Sequence, residues 1–206
     1  MGRRRTPEVI AVADIYRLQD LVRDARAIVD QKMSEEKTIA ALKGPIERII
    51  QRQDCLADMP ELNDNPDPEK GFTIYRADNL SVMAVVWPVG GGAPVHNHNG
   101  WAMEGVIRGL ERNRNYARLD DGRTPWVAQL EETEPSVVGT GQTTSLSLPP
   151  NDIHAVEIPG EKTLAIHVYG IDLARQWRYQ FDLESGAVTP FRAGQRAPIV
   201  AAPPMA

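Results

Sequence analysis

The sequence predicts a mainly β chain, an antiparallel barrel or sandwich with α-helices at its N-terminal end. Three observations carry this. After position 72 there are many short runs rich in β-branched and aromatic residues; Gly, Pro, Asp and Asn separate them; and no helical apolar period lies between them. The 206 residues, 42% hydrophobic and 25% charged, are enough for one good core and fit one domain. Its parts are a helical segment over 1–56 packed on the barrel, a barrel over 72–192 and a tail over 193–206.

The helical segment comes first. In "DIYRLQDLVRDARAIVDQ", Ile15, Leu18, Leu21, Val22, Ala25, Ile28 and Val29 recur at three- and four-residue spacing, so one helix face is apolar. "SEEKTIAALK" offers Ser34 as an N-cap with Glu35 and Glu36 in the first turn, where negative charge suits the helix dipole. Gly44-Pro45 is expected to end this helix and start a short one carrying Ile46, Ile49 and Ile50. The aperiodic stretch "DMPELNDNPDPEKG" reads as a loop.

The strand runs are "FTIYRA", "LSVMAVVW", "WAMEGVIR", "RNYARL", "PWVAQLE", "TSLSLP", "AVEI", "TLAIHVYG" and "QWRYQFDL". The tail "GQRAPIVAAPPMA" is expected to wrap along the surface or stay poorly ordered.

Composition narrows the partners. A formal net charge of -5 gives no basic excess, so neither nucleic acid nor an anionic membrane surface is expected as the main partner. The "RRR" of Arg3 to Arg5 reads as a solvated tail. One cysteine, Cys55, cannot form an internal disulfide, which suits a reducing compartment. No run reaches the roughly 18 apolar residues of a membrane span, and no signal peptide opens the chain, so a cytoplasmic protein is expected. Glu131-Glu132 and "LDDGR" read as solvated turns.

All four histidines, His96, His98, His154 and His167, fall in the β-rich part. In a strand, residues i and i+2 share a face, so His96 and His98 are expected to converge on one point. A third imidazole would complete a facial set for divalent iron, nickel, copper or zinc, leaving open positions. Packing or surface placement is the alternative for a bare H-x-H.

The context of that pair resembles a cupin. The first cupin motif, G-x5-H-x-H-x3-E-x6-G, falls on Gly90, His96, His98, Ala102 and Gly109; the second, P-x-G-x2-H, falls on Pro149, Asn151 in place of glycine, and His154. The resemblance implies a double-stranded β-helix, a jelly-roll barrel. Ala102 stands where most cupins carry a glutamate ligand, which leaves His96, His98 and His154 as the metal set.

The loss of that glutamate, Trp87 before the first motif, "VHNHNGW", and "LAIHVYGIDL" after the second resemble the thiol dioxygenases, the family of cysteine dioxygenase and mercaptopropionate dioxygenase. The similarity spans residues 15–185 in element order, with its specific residues within 75–109 and 149–170. His167 and Tyr169 match the last two members of that family's Ser-His-Tyr relay, and Ala165 replaces its serine. Ala102 also excludes the cysteine–tyrosine crosslink of the animal enzymes, which the bacterial-type members lack.

The resemblance implies iron(II), a small thiol substrate, O2 and a possible homodimer. Arg76 roughly matches the family's carboxylate-binding arginine, or is a solvated strand-end residue. Trp101 would wall the pocket or cap the barrel. The rival readings are a cupin metalloenzyme using nickel, manganese or zinc on a non-thiol substrate, and a non-catalytic ligand-binding cupin.

Overall fold

The structure is a computed structural model and describes residues 15–58 and 72–192. The Arg3 to Arg5 cluster, the loop after residue 58 and the tail 193–206 lie outside the described residues. Two helices, α1 (Leu18–Val29) and α2 (Glu35–Ile50), and a short 3-10 turn precede twelve strands.

The strands of the barrel are β2 (Leu80–Trp87), β3 (Gly92–His96), β4 (Ala102–Arg108), β5 (Leu110–Arg118), β7 (Ser136–Gly139), β8 (Thr143–Leu146), β9 (Ile153–Glu157) and β10 (Thr163–Tyr169). Their pairing is nested: β5 pairs with β7, β4 with β8, β3 with β9 and β2 with β10, all antiparallel. The chain is therefore one long antiparallel ribbon folded back on itself. Coiling this ribbon brings β10 against β4 and β9 against β5.

Two sheets result, in the orders β1-β2-β10-β4-β8 and β12-β11-β3-β9-β5-β6, with β7 on β5. Here β1 is Phe72–Ala77, β6 Leu130–Glu132, β11 Arg178–Phe181 and β12 Val188–Phe191. This is a double-stranded β-helix, the expected fold.

The first sheet is buried on both faces. Outward, Met103 and Ile107 of β4 and Leu164, Ile166 and Val168 of β10 join Leu21, Leu42, Ile46, Ile49 and Ile50 of the helices in one apolar cluster. Each such aliphatic side chain contributes about 1.5–3 kcal/mol when fully buried. Inward, cross-strand neighbours form layers: Ser81, Tyr169 and Ala102 in one, Met83, His167 and Glu104 in the next, Val85, Ala165 and Val106 below.

Three expectations need correction. Gly44-Pro45 does not divide the second helix: α2 runs through Pro45. Gly44 has no Cβ to collide with the proline ring, and the apolar stripe Leu42, Ile46, Ile49 and Ile50 is continuous across it, so packing outweighs the lost N–H. "PWVAQLE" is strand only from Leu130, because Trp126 sits in the left-handed region at φ 62°. Strands β3, β7 and β12 are absent from the sequence reading. Pro94 and Pro190 hide β3 and β12, and β3 carries a register irregularity between Ala93 and His96.

Gly105 marks a close approach of helix to sheet, since a Cβ there would meet Ile46 Cγ2 at 2.7 Å and Ile50 Cγ2 at 3.0 Å. Gly105→Val should therefore destabilise the fold by about 1–3 kcal/mol through overpacking, read as a lowered denaturation midpoint. An unchanged midpoint would mean that the helices do not press on β4 as described.

Candidate metal centre and its cavity

His96 is the last residue of β3, and its Cα partner across the ladder is His154 of β9. Backbone pairing alone thus sets two imidazoles side by side. His98 arrives differently. The strand stops at His96, and Asn99 turns the chain in the left-handed conformation at φ 56°. The expectation that His96 and His98 share the face of a strand is corrected accordingly: His98 lies on a loop.

That loop is tied down by buried Asp152, two residues before His154, whose Oδ2 accepts the His98 N–H at 3.2 Å and the Asn99 N–H at 2.7 Å. Burial raises the Asp152 carboxyl above the ordinary range, against the pull of these N–H bonds. From the other side, Asn97 exchanges backbone and side-chain bonds with Tyr179 at 3.0 and 2.7 Å.

The three rings meet with centroids 4.7 to 5.1 Å apart. Pro94 O takes the Nδ1–H of His96 at 2.8 Å, and Asn113 Oδ1 takes that of His154 at 2.8 Å. An acceptor at Nδ1 leaves Nε2 as the lone-pair nitrogen, the arrangement a metal ligand needs. His98 Nε2 and His154 Nε2 stand 3.0 Å apart, while the buried His98 Nδ1 has no hydrogen-bond partner among the described residues. Two nitrogens about 2.1 Å from a shared octahedral ion would be about 3.0 Å apart.

Burial lowers all three pKa values, that of His96 to about 4, so each ring is neutral near pH 7. The set His96, His98 and His154 can hold a metal ion. Ala102, at the glutamate position of the cupin motif, packs with Leu146, Tyr169 and Leu173.

The histidines open on a cavity of about 250 Å³ lined by apolar and polar side chains in equal number, with Tyr169 and Arg178 among the polar ones. Tyr169 stacks on His98 at 5.0 Å between centroids and 27° between planes, and its hydroxyl lies 2.9 Å from His167 Nδ1. Ala165 sits with Val106 and Val138 in a small apolar cluster, so no hydroxyl comes from the serine position.

Arg178 is 7% exposed, its Nε has no hydrogen-bond partner among the described residues, and its guanidinium lies 4.5 Å from the centroid of the Phe191 ring. Burial lowers its pKa, and Tyr169 works the other way.

Arg76 and Trp101 go elsewhere. Both nitrogens of the Arg76 fork are taken by Asp172, at 2.6 and 2.9 Å, which braces β1 against the segment after β10. Neither residue is among those lining the cavity. The Trp101 indole lies over Gly170, where a Cβ would come within 2.2 Å of the ring.

Among the polar residues at the site that were not read from the sequence are Asn97, Glu104, Glu111, Asn113, Asp152 and Arg178. Strands with polar residues on both faces carry no amphipathic signal. In "LERNRNYAR" the buried Glu111 and Asn113 alternate with the more exposed Arg112 and Arg114.

No family model matches the chain. Among solved structures it is similar to an uncharacterised protein with a double-stranded β-helix domain from Klebsiella pneumoniae, at 12% identity over 66% of this chain and 88% of that one, TM-score 0.40. A cupin superfamily protein from Desulfitobacterium hafniense shares 12% identity over 53% of this chain and 93% of that one, TM-score 0.38. The DMSP lyase DddQ from Ruegeria pomeroyi shares 19% identity over 50% of this chain, TM-score 0.36; the match spans 43% of the lyase. The fold assignment rests on the nested strand pairing. No helix of the described residues is long and apolar enough to cross a membrane.

The depressed folded pKa of His96, about 4 against an ordinary 6.5, has a sign that can be checked. Between these values the unfolded chain binds more protons, so stability is complete above 6.5 and is lost as pH falls toward 4. His167 and Glu104, whose pKa values are raised, act in the opposite sense, so the readout is a difference: the fall in melting temperature of the metal-free protein from pH 7.5 to pH 5 should be about 4 °C or more larger than in His96→Gln. An equal fall in both proteins would show that the ring is not held neutral by burial.

Proposed function

We propose that the protein is a mononuclear iron(II) thiol dioxygenase, converting a small thiol carboxylate and one O2 into the sulfinate. One observation carries this reading: three neutral imidazoles, the Tyr169 hydroxyl and the buried Arg178 guanidinium, whose Nε has no hydrogen-bond partner among the described residues, all face one small cavity. Ferrous iron held by His96, His98 and His154 would supply the electrons that activate dioxygen and a site for a thiolate.

The remaining roles belong to the chain. Arg178 offers a planar fork of donors to a carboxylate, and burial makes that ion pair selective for an anion. Met83, Leu173 and Phe191 keep water from the reacting end. Tyr169, held between His98 and His167, presents a hydroxyl beside the metal set. Trp101 and Arg76 support the walls and do not touch the substrate.

A second reading rests on Ala165, which removes the relay serine: a cupin using nickel, manganese or zinc on a non-thiol anion. Ring nitrogen alone does not choose among these metals. Oxygen uptake separates the two. With iron(II) and a panel of cysteine, mercaptopropionate, mercaptosuccinate and cysteamine, one carboxylate thiol should drive uptake of one O2 per sulfinate. Bound metal with no thiol-dependent uptake would overturn the dioxygenase reading and leave the metal site standing. His154→Ala should abolish tight metal binding, and stoichiometric metal in that variant would refute the three-histidine set.

Arg178→Gln should raise KM for the carboxylate thiol about 10- to 100-fold, the loss of a charged hydrogen bond in a buried site, with little change for cysteamine, which has no carboxylate. An equal effect on both substrates would remove Arg178 from carboxylate binding.

A further inference from the structure

The buried cluster behind Tyr169 is not explained by metal binding at the three histidines. Glu104 is the direct cross-strand neighbour of His167 on β4, and Glu111 reaches the same ring from β5 in the opposite sheet. Glu104 Oε1 is 3.4 Å from His167 Nδ1, and Glu111 Oε1 is 3.6 Å from Nε2. All three residues are at most 2% exposed, and neither the four carboxylate oxygens nor His167 Nε2 has a hydrogen-bond partner among the described residues.

A carboxylate in such a place needs an opposite charge. The cationic groups near it are His167 itself and, across the cavity, Arg178, which lies beside Tyr169 and the metal histidines. A neutral His167 would aim a lone pair at one of the two carboxylates. A ring protonated at both nitrogens instead places a positive charge between them, with Nε2–H on the side of Glu111 and Nδ1–H, directed at Tyr169 Oη, beside Glu104.

We propose that Glu104 and Glu111 are positioning residues for Tyr169: they keep His167 a hydrogen donor on both nitrogens, so Tyr169 Oη accepts from Nδ1 and turns its own proton into the cavity. The 2.9 Å Nδ1···Oη contact is short enough for that bond, and stacking on His98 holds the phenol ring in place. Tyr169 then acts toward a ligand as a fixed donor. With Ala165 in apolar contacts, the two carboxylates do the orienting that a hydroxyl at that position would do.

The groups that face His167 are Tyr169 on its own strand, Glu104 on β4, Glu111 on β5, and His96, His98, His154 and Arg178 across the cavity. Burial opposes charge on the ring, but Tyr169, Glu104 and Glu111 outweigh it and hold His167 well above the ordinary histidine range. Burial also pushes Glu104 up to about 7, with His167 pulling it back and Glu111 adding to the rise.

Glu104, Glu111 and His167 lie close enough together to be considered for a cation. One ligand atom from each lies within 4.8 Å of the others, but the closest carboxylate contacts run to opposite nitrogens of the ring, the arrangement of an imidazolium bridge; zinc stoichiometry separates it from a second metal.

The role of the donated proton rests on the dioxygenase reading; the state of the ring does not, and it is measured without turnover. In the zinc-loaded full chain with 15N-labelled histidine, two-bond 1H–15N correlation spectra at pH 7.5 should show His167 protonated at both nitrogens. Glu111→Gln should leave it with one unprotonated nitrogen while bound zinc stays at one per chain. An unprotonated nitrogen on His167 in the unsubstituted protein overturns the proposal, even if the variant fails to fold. So does loss of a second bound zinc in Glu111→Gln, which would make the cluster a metal site. If thiol turnover is observed, Glu111→Gln should lower kcat at least tenfold with KM unchanged, and a change below twofold overturns the positioning role.

Discussion

The nested antiparallel pairing of the ribbon is the constraint on which the rest of the molecule depends. Because β3 pairs with β9, His96 faces His154 without help from any side chain. Because β10 lies between β2 and β4, the inward residues of three strands stack in layers, and Tyr169, His167 and Ala165 each meet fixed neighbours. Backbone hydrogen bonds thus determine which side chains can react together, and a shift of one residue would exchange the inner face for the outer one.

This pairing divides the burden of stability unevenly. The outer face of the β1-to-β8 sheet is covered by the helices and carries the large aliphatic cluster. The barrel interior between the two sheets is free to hold groups that a core ordinarily excludes: five ionisable residues, His98, His154, His167, Glu104 and Glu111, are each at most 2% exposed. Such burial is tolerable because the groups compensate one another, imidazole against carbonyl or amide at the metal set and imidazole against carboxylate behind Tyr169. The arrangement also keeps the two histidine populations distinct. Those facing Asn113, Pro94 and one another are held neutral and able to ligate, and the one between two carboxylates is held charged.

The departure of one residue from the cupin pattern illustrates how strand geometry converts sequence position into role. A carboxylate at position 102 would lie in the layer of Tyr169. The carboxylate this chain has is at 104, on the same face but one layer away, about 6.6 Å along the strand. There it meets His167 across the ladder and leaves the metal set to three histidines. Arg178 shows the complementary case, a cation placed in the cavity by β11, whose only ladder contact with β3 is Gln180 with His96.

By itself the sequence determined the local things: an apolar period in "LQDLVRDARAIV", β-rich runs such as "FTIYRA" and "LSVMAVVW" that coincide with strands, and the spacing of His96, His98 and His154. These depend on neighbours a few residues away, so periodicity records them. Only the tertiary structure decided the non-local ones. Pro45 continues a helix because Ile46, Ile49 and Ile50 pack on β4. His98 sits on a loop because Asp152 holds it. Arg76 is a brace because Asp172 lies opposite it, and Glu104, Glu111 and Arg178 are interior because closing the barrel encloses them. A charged residue in a strand has the same local pattern whether its face meets water or a cavity, and only the pairing of distant strands tells the two apart.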